Sequence, residues 1–158
     1  MSKSLKRVKR ALDALDATTE IRETGDARTA QAAADALGVE IDQIAKSIIF
    51  QAEVSGAAVL FLTAGGNQVD SDKATAVAGE SLGKANADLV RGQTGFAIGG
   101  VSPVGHLSPI RAWIDPRLLE FSIIWAAAGT PRHVFALPSA ELTRLTSAQV
   151  SDFTLTFT

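Results

Sequence analysis

The residues with chemistry to offer are few and widely spaced. Lys46 stands at the head of the apolar run Ser47-Ile48-Ile49-Phe50. A lysine where a short helix gives way to a strand can turn its ammonium into a cleft and hold a phosphate or a carbonyl there. The plainer alternative is a stem laid along the surface with its charge in water. The second candidate is the segment Gly99-Gly100-Val101-Ser102-Pro103-Val104-Gly105-His106. Paired glycines let the backbone come close to a ligand and expose consecutive N–H groups. Such donors stabilise an oxyanion without any charged side chain. An ordinary glycine-rich connection has the same composition. His133, in Gly129-Thr130-Pro131-Arg132-His133, has the proton affinity for acid or base work. No neighbouring carboxylate is visible to orient it, so a solvent-facing strand residue fits as well. His106 ends its loop without an evident partner, and Ser102 lacks the sequence of a nucleophile elbow, which disfavours a serine hydrolase.

The rest of the inventory excludes several classes. The 158-residue chain has no cysteine and no tyrosine, which removes thiolate nucleophiles, disulfide frameworks, cysteine–zinc sites and phenolic acids. Its two histidines are not at helical ligand spacing, so neither a metal nor another cofactor is expected. Gly95-Phe96-Ala97-Ile98-Gly99 lacks the spacing of a dinucleotide fingerprint, and no Gly-Lys-Ser/Thr follows a glycine loop. At 46% hydrophobic and 20% charged residues, the composition is that of a folded globular chain. The longest apolar stretches, Ala57 to Leu62 and Ile123 to Ala128, are too short to cross a bilayer, and the N-terminus lacks the apolar centre of a secretory signal. No membrane partner is expected, and a cytoplasmic location suits a cysteine-free chain. The net charge is −2, but the first ten residues carry Lys3, Lys6, Arg7, Lys9 and Arg10 without an acid, which leaves −7 on the remainder. Contact with nucleic acid must therefore be local, and DNA is not an expected partner.

These residues need elements to position them. Leu5, Val8, Leu12 and Leu15 are spaced three, four and three apart, the apolar stripe of a helix whose other faces are basic. That basic surface is simply solvated, an arm for RNA phosphates, or a transit peptide, a pattern that Asp13 and Asp16 interrupt early. Thr19 to Thr24 reads as a strand, and Thr29 caps a helix from Ala30 to Leu37 that Gly38 stops. Val39 to Ala45 reads as another short helix with Ile41 and Ile44 inward. Residues 47–51 and 57–63 read as neighbouring strands joined at Ser55-Gly56. After a turn at Gly65-Gly66-Asn67, Ser71 or Asp72 begins a helix to Ala78, and Asn86 caps one from Ala87 to Arg91. Strands are expected at Ala112 to Ile114, Phe121 to Ala127 and His133 to Leu137, then a helix from Pro138 to Leu145. No linker divides residues 1–158. Several strands are joined by tight turns, so the fold class is α+β: one compact domain with a mixed, mainly antiparallel, barrel-like sheet surrounded by helices.

Ala45-Lys46-Ser47-Ile48-Ile49-Phe50, Asp70-Ser71-Asp72-Lys73, Gly95 to Gly105 and Ala127-Ala128-Gly129 occur in that order. Their order and spacing resemble the YbaK-type aminoacyl-tRNA deacylases, the prolyl-tRNA-synthetase-associated editing domain family. The resemblance runs from about residue 5 to 153, and Ile98-Gly99-Gly100-Val101-Ser102-Pro103 is its most specific part. It implies a free-standing, metal-independent hydrolase that removes a small amino acid from mischarged tRNA, on tRNA(Pro) or a related tRNA. Its partners would be the aminoacylated acceptor end and an aminoacyl-tRNA synthetase. Lys46 would anchor the terminal nucleotide, and the amides of Gly99, Gly100 and Val101 would receive the oxyanion. Ser47, Ser102, Pro103, Gly129 and His133 would line the substrate. A hydroxyl of the substrate ribose would help position the water, so no protein base is required.

Two positions depart from patterns within the family. Ser47 stands where the alanyl-specific branch places asparagine, and Thr130-Pro131-Arg132 stands where many cysteinyl-specific members have a Gln-Arg-Gly type turn. Alanine, cysteine, serine and other small residues all remain open as the side chain removed. Two other classes compete with the hydrolase. One is a non-catalytic module that binds aminoacylated tRNA ends or a synthetase. The other is an unrelated nucleotide- or small-molecule-binding domain.

Overall fold

The computed structural model describes residues 2–17 and 19–156. Helix α1 (Lys3–Ala14) is capped by the Ser2 hydroxyl and buries Leu5, Val8 and Leu12, as their spacing requires. After β1 (Ile21–Glu23), Thr29 caps α2 (Ala30–Leu37), which ends at Gly38. The central hairpin is β2 (Ile44–Ala52) against β3 (Ala58–Ala64), with Ala45 opposite Ala64 and Gln51 opposite Ala58. Then come α3 (Ser71–Ala78), β4 (Leu82–Lys84) and α4 (Ala87–Thr94), the last capped by Asn86. The glycine segment leads to β5 (Arg111–Ile114), β6 (Ile123–Ala127) and β7 (His133–Pro138), and the order closes with α5 (Leu142–Thr146) and β8 (Gln149–Val150).

The strands form one mixed sheet in the order β1-β7-β6-β2-β3-β5-β8, with β4 also beside β2. Among the described residues, four pairings of these strands are antiparallel (β1·β7, β2·β3, β2·β4, β6·β7) and three are parallel (β2·β6, β3·β5, β5·β8). The path begins at β1 and ends at β8 without closing, so the barrel-like sheet is an open one. One face packs against α1, the glycine segment and α5 around Leu60, Leu62, Phe96, Ile114, Ile124 and Phe135. The other face carries a cluster centred on Phe61, which stacks on Trp113 at 4.9 Å and meets the Phe153 ring edge at 4.8 Å.

Several local expectations differ from the structure, among them the helix from Pro138 to Leu145: β7 runs through Pro138, a 3-10 turn spans Ser139–Glu141, and α5 begins only at Leu142. Residues Val39 to Ala45 do not form a helix: one 3-10 turn spans Ile41–Gln43, and Ile44 already belongs to β2. Apolar residues three apart fit a helical turn, and pairing with β3 and β6 overrides that local pattern in favour of the strand. Lys46 is therefore the third residue of β2 rather than a junction residue. Helix α3 begins at Ser71 as expected, and Asp70 caps it through bonds from the Asp72 and Lys73 amides. Helix α4 runs past Arg91 to Thr94 and so includes Gly92.

Candidate active site

The sheet has a gap at its centre. On the side away from β3, β2 pairs with β6 only at Ile44 and Ala45, and with β4 only from Phe50. Among the described residues, no strand pairs with residues 46–49 on that side. A cavity of about 520 Å³ opens there, within the range of small-ligand sites. Successive strand residues point to opposite faces, yet Lys46, Ser47 and Ile48 all line it, because the gap joins the two faces. Its other walls come from the start of α2, from Trp125 to Ala127, from Gly99 and Val101, and from Thr130, Pro131, His133 and Val134.

The Lys46 ammonium is held at the turn that follows β3. Its Nζ donates to the Asn67 carbonyl at 2.5 Å. That turn is latched by two carboxylates. Asp115, 2% exposed, accepts from the Ala64 amide at 3.0 Å and from Asn67 Nδ2 at 2.9 Å through Oδ2, and from the Arg117 amide at 3.0 Å through Oδ1. Asp42 accepts from the Gly66 amide at 2.8 Å and from Arg117 Nε at 2.9 Å. A Cβ at Gly65 would meet the Ile41 carbonyl at 2.2 Å, so only glycine fits this close approach. Burial pushes the Lys46 ammonium below its ordinary value, and the charges of Asp115 and Asp42 offset part of that shift. Asp115→Ala is expected to destabilise the fold by roughly 2–4 kcal/mol, because it leaves three donors without an acceptor. A denaturant titration against Asp115→Asn, which keeps most of the shape, checks this.

The glycine loop presents two free donors. The Gly100 amide donates to the Ala97 carbonyl at 3.0 Å. The amides of Gly99 and Val101 donate to no protein acceptor among the described residues, and both residues line the cavity. Of the three amides expected to receive an oxyanion, these two are therefore available. Gly100 is packed against Thr130, where a Cβ would lie 2.8 Å from Thr130 Cα. Ser102 and Pro103 are buried behind the lining, and the Ser102 hydroxyl accepts from the Val104 amide at 3.2 Å. His106 has a partner after all. Its Nε2 lies 2.7 Å from the Ser102 carbonyl, which can only accept, so Nε2 carries the proton. Burial pushes its proton affinity below the ordinary value, and the neutral ring buttresses the loop.

The turn from Gly129 to His133 forms the facing rim. Gly129 does not line the cavity; it sits against α1, where a Cβ would be 2.8 Å from the Ser4 carbonyl. His133 does line it, with Nδ1 2.7 Å from Thr130 Oγ1 and, among the described residues, no carboxylate bonded to the ring. The structure thus brings Lys46, Ser47, Gly99, Val101 and His133 to one hollow and leaves Gly100, Ser102, Pro103 and Gly129 behind it. Sequence reasoning missed Asp115, Asn67 and Asp42. Only the glycine pair before Asn67 hinted that something had to hold that turn. Among the described residues, no group of three His, Asp or Glu side chains could hold a metal ion.

The sequence matches the family profile of the aminoacyl-tRNA editing domain over residues 24–145. The chain belongs to that family. As an editing domain it is an aminoacyl-tRNA deacylase, which hydrolyses the ester of a mischarged tRNA. The editing domain is 30% identical over 122 residues, 77% of each chain, to uncharacterized protein YwhH of Bacillus subtilis (strain 168). Its structure is similar, with a TM-score of 0.92 and 44% identity over 99% of both chains, to the crystal structure of a candidate trans-editing enzyme for prolyl tRNA synthetase. A TM-score of 0.86 and 25% identity relate it to hypothetical protein APE2540, over 94% of this chain and 99% of that one. No helix among the described residues is long and apolar enough to cross a membrane.

Proposed function

We propose that this deacylase works in trans, as a free-standing editing domain over residues 1–158, and removes a small amino acid from tRNA(Pro) or a related tRNA in the cytoplasm. The 44% identity to a candidate trans-editing enzyme for prolyl tRNA synthetase supports that substrate class, with the synthetase as a partner. The observation that carries the site is the gap in the sheet, where Lys46, Gly99 and Val101 line one cavity and the amides of the two loop residues are unused among the described residues. Lys46 anchors the terminal nucleotide through phosphate or ribose. Water attacks the ester carbonyl, and the Gly99 and Val101 amides take up the charge on its oxygen. The tetrahedral species collapses by breaking the acyl carbon–ribose oxygen bond. The ribose hydroxyl keeps a proton from the water and the free amino acid leaves. A ribose hydroxyl positions the water, which fits a site whose histidine has, among the described residues, no carboxylate to orient it.

Ser47 deepens this reading. Its buried hydroxyl has no hydrogen-bond partner among the described residues, and Ser47 is one of the residues around the cavity. A substrate polar group that bonds it would be favoured over an apolar one. Ser47→Ala is expected to leave stability unchanged or slightly raised, since no bond is lost in the free protein. It should raise KM about 5- to 10-fold for a substrate held by that hydroxyl. The decisive experiment follows release of alanine, cysteine and serine from tRNA(Pro), with prolyl-tRNA(Pro) as the cognate control. At least one small aminoacyl ester should be cleaved far faster than without protein. Rates equal to the protein-free rate across the panel would leave a binding module instead.

A further inference from the structure

We infer that the outer face of α1, carrying Lys3, Lys6 and Arg10, is the surface that receives the phosphate backbone of the substrate RNA beside its acylated end. The inference rests on the deacylase reading and adds a docking surface to it. At 100° per residue, these three side chains fall within a wedge of about 60°, opposite Leu5, Val8 and Leu12. All three are exposed, and among the described residues none is paired with an acid. Arg7 behaves differently: it turns inward, donates to the Gly95 carbonyl at 2.9 Å and lies over the Phe96 ring.

Helix α1 packs behind the loops that frame the cavity. The first turns of α1 pack on both loops that frame it, through the Ser4 carbonyl against Gly129 and the Arg7 carbonyl against Gly105. His133 lines the cavity and also a second hollow that Leu5 and Lys9 share. Lys9 faces Glu20 and Glu23 across that hollow's lining and stands outside the track, and Asp13 bounds it toward the end of the helix.

Helix stability does not account for this placement. A helix favours acids in its first turn and bases in its last, and α1 has neither: Lys3 and Lys6 sit at its positive end. The remainder of the chain beyond residue 10 carries −7, so a polyanion is repelled elsewhere and drawn to this face. From Lys3 to Arg10 the axis rises about 10 Å. One strand of a duplex offers a phosphate for every ~3 Å of axis, so all three cations can engage one backbone.

The test compares the full-length wild type with the triple variant Lys3→Gln/Lys6→Gln/Arg10→Gln, which keeps good helix formers. Each is assayed on a mischarged tRNA and on the corresponding aminoacyl-adenosine ester. The variant should raise KM for the tRNA about tenfold or more at moderate salt and flatten the plot of log KM against log salt by about 2 to 3. Its kcat/KM on the short ester should stay within about twofold of wild type. Equal losses on both substrates, or an unchanged salt slope, overturn the surface while the deacylase reading stands. A variant that binds tRNA normally but loses binding to the synthetase assigns the face to a protein partner and also overturns it. Wild type inactive on both esters removes the reading beneath it.

Discussion

Lys46→Ala is expected to lower kcat/KM for deacylation by about 100- to 1,000-fold and to leave the protein folded. The side chain belongs to the central strand of the sheet, whose backbone register with β3 does not depend on it. Lys46 lines the cavity from that strand, and the Asn67 carbonyl fixes the position of its ammonium. Loss of that anchor frees the terminal nucleotide, so the ester no longer rests against the Gly99 and Val101 amides. The pH dependence follows from burial. The folded protein holds this proton less tightly than the unfolded chain, whose lysine keeps its ordinary value of 10.5. Between the two values the unfolded chain binds more protons, so stability rises with pH through that window. Below the window, the buried charge is a standing cost that Lys46→Met relieves, and its melting temperature at pH 7 should equal or exceed that of wild type. Activity should run the opposite way, with kcat/KM falling on the alkaline side below pH 10.5 as the ammonium is lost. Lys46→Arg should move that fall upward. An alanine variant within threefold of wild type would remove Lys46 from the site.

Gly100→Ala is expected to reduce activity by at least ~100-fold and to cost about 1–3 kcal/mol of stability. The new Cβ would lie 2.8 Å from Thr130 Cα, 2.9 Å from Thr130 C and 3.1 Å from Thr130 N. All three are backbone atoms, so the loop must move away from the Gly129–His133 turn, and the Gly99 and Val101 amides move with it. Gly99→Ala provides the contrast. Its Cβ meets nothing within 4 Å, but its φ of +91° disfavours any side chain. Here the cost is local strain without displacement of Thr130. Single-turnover rates separate the two: kcat should fall for Gly100→Ala much more than for Gly99→Ala. Equal, near-wild-type rates for both variants would show that the loop does not shape the reacting site.

Features set by neighbours in the chain were legible in the sequence. Thr29 and Asn86 cap the helices they precede, Gly38 ends one, and the turn at Ser55-Gly56 makes the β2–β3 hairpin. Features set by distant partners were not. The residues around Ile44 fit a helical turn locally, and pairing with β3 and β6 overrides that pattern. Strands of two and three residues, such as β8 and β4, have no periodicity to read. The site divides the same way. Lys46 and the glycine pair were visible as residue types, but Asp115 reaches the turn at Asn67 across 48 positions, and no local pattern announces that bond.

Leu5, Val8, Leu12 and Phe153 are all buried, and all four lie outside the 24–145 stretch by which the family is known. Burying them contributes about 6–12 kcal/mol, comparable with the whole margin by which a domain this size stays folded. The heritable signature and the cooperative unit are therefore different objects. A fragment trimmed to the signature would keep every group that lines the hollow and lose the frame that holds it open.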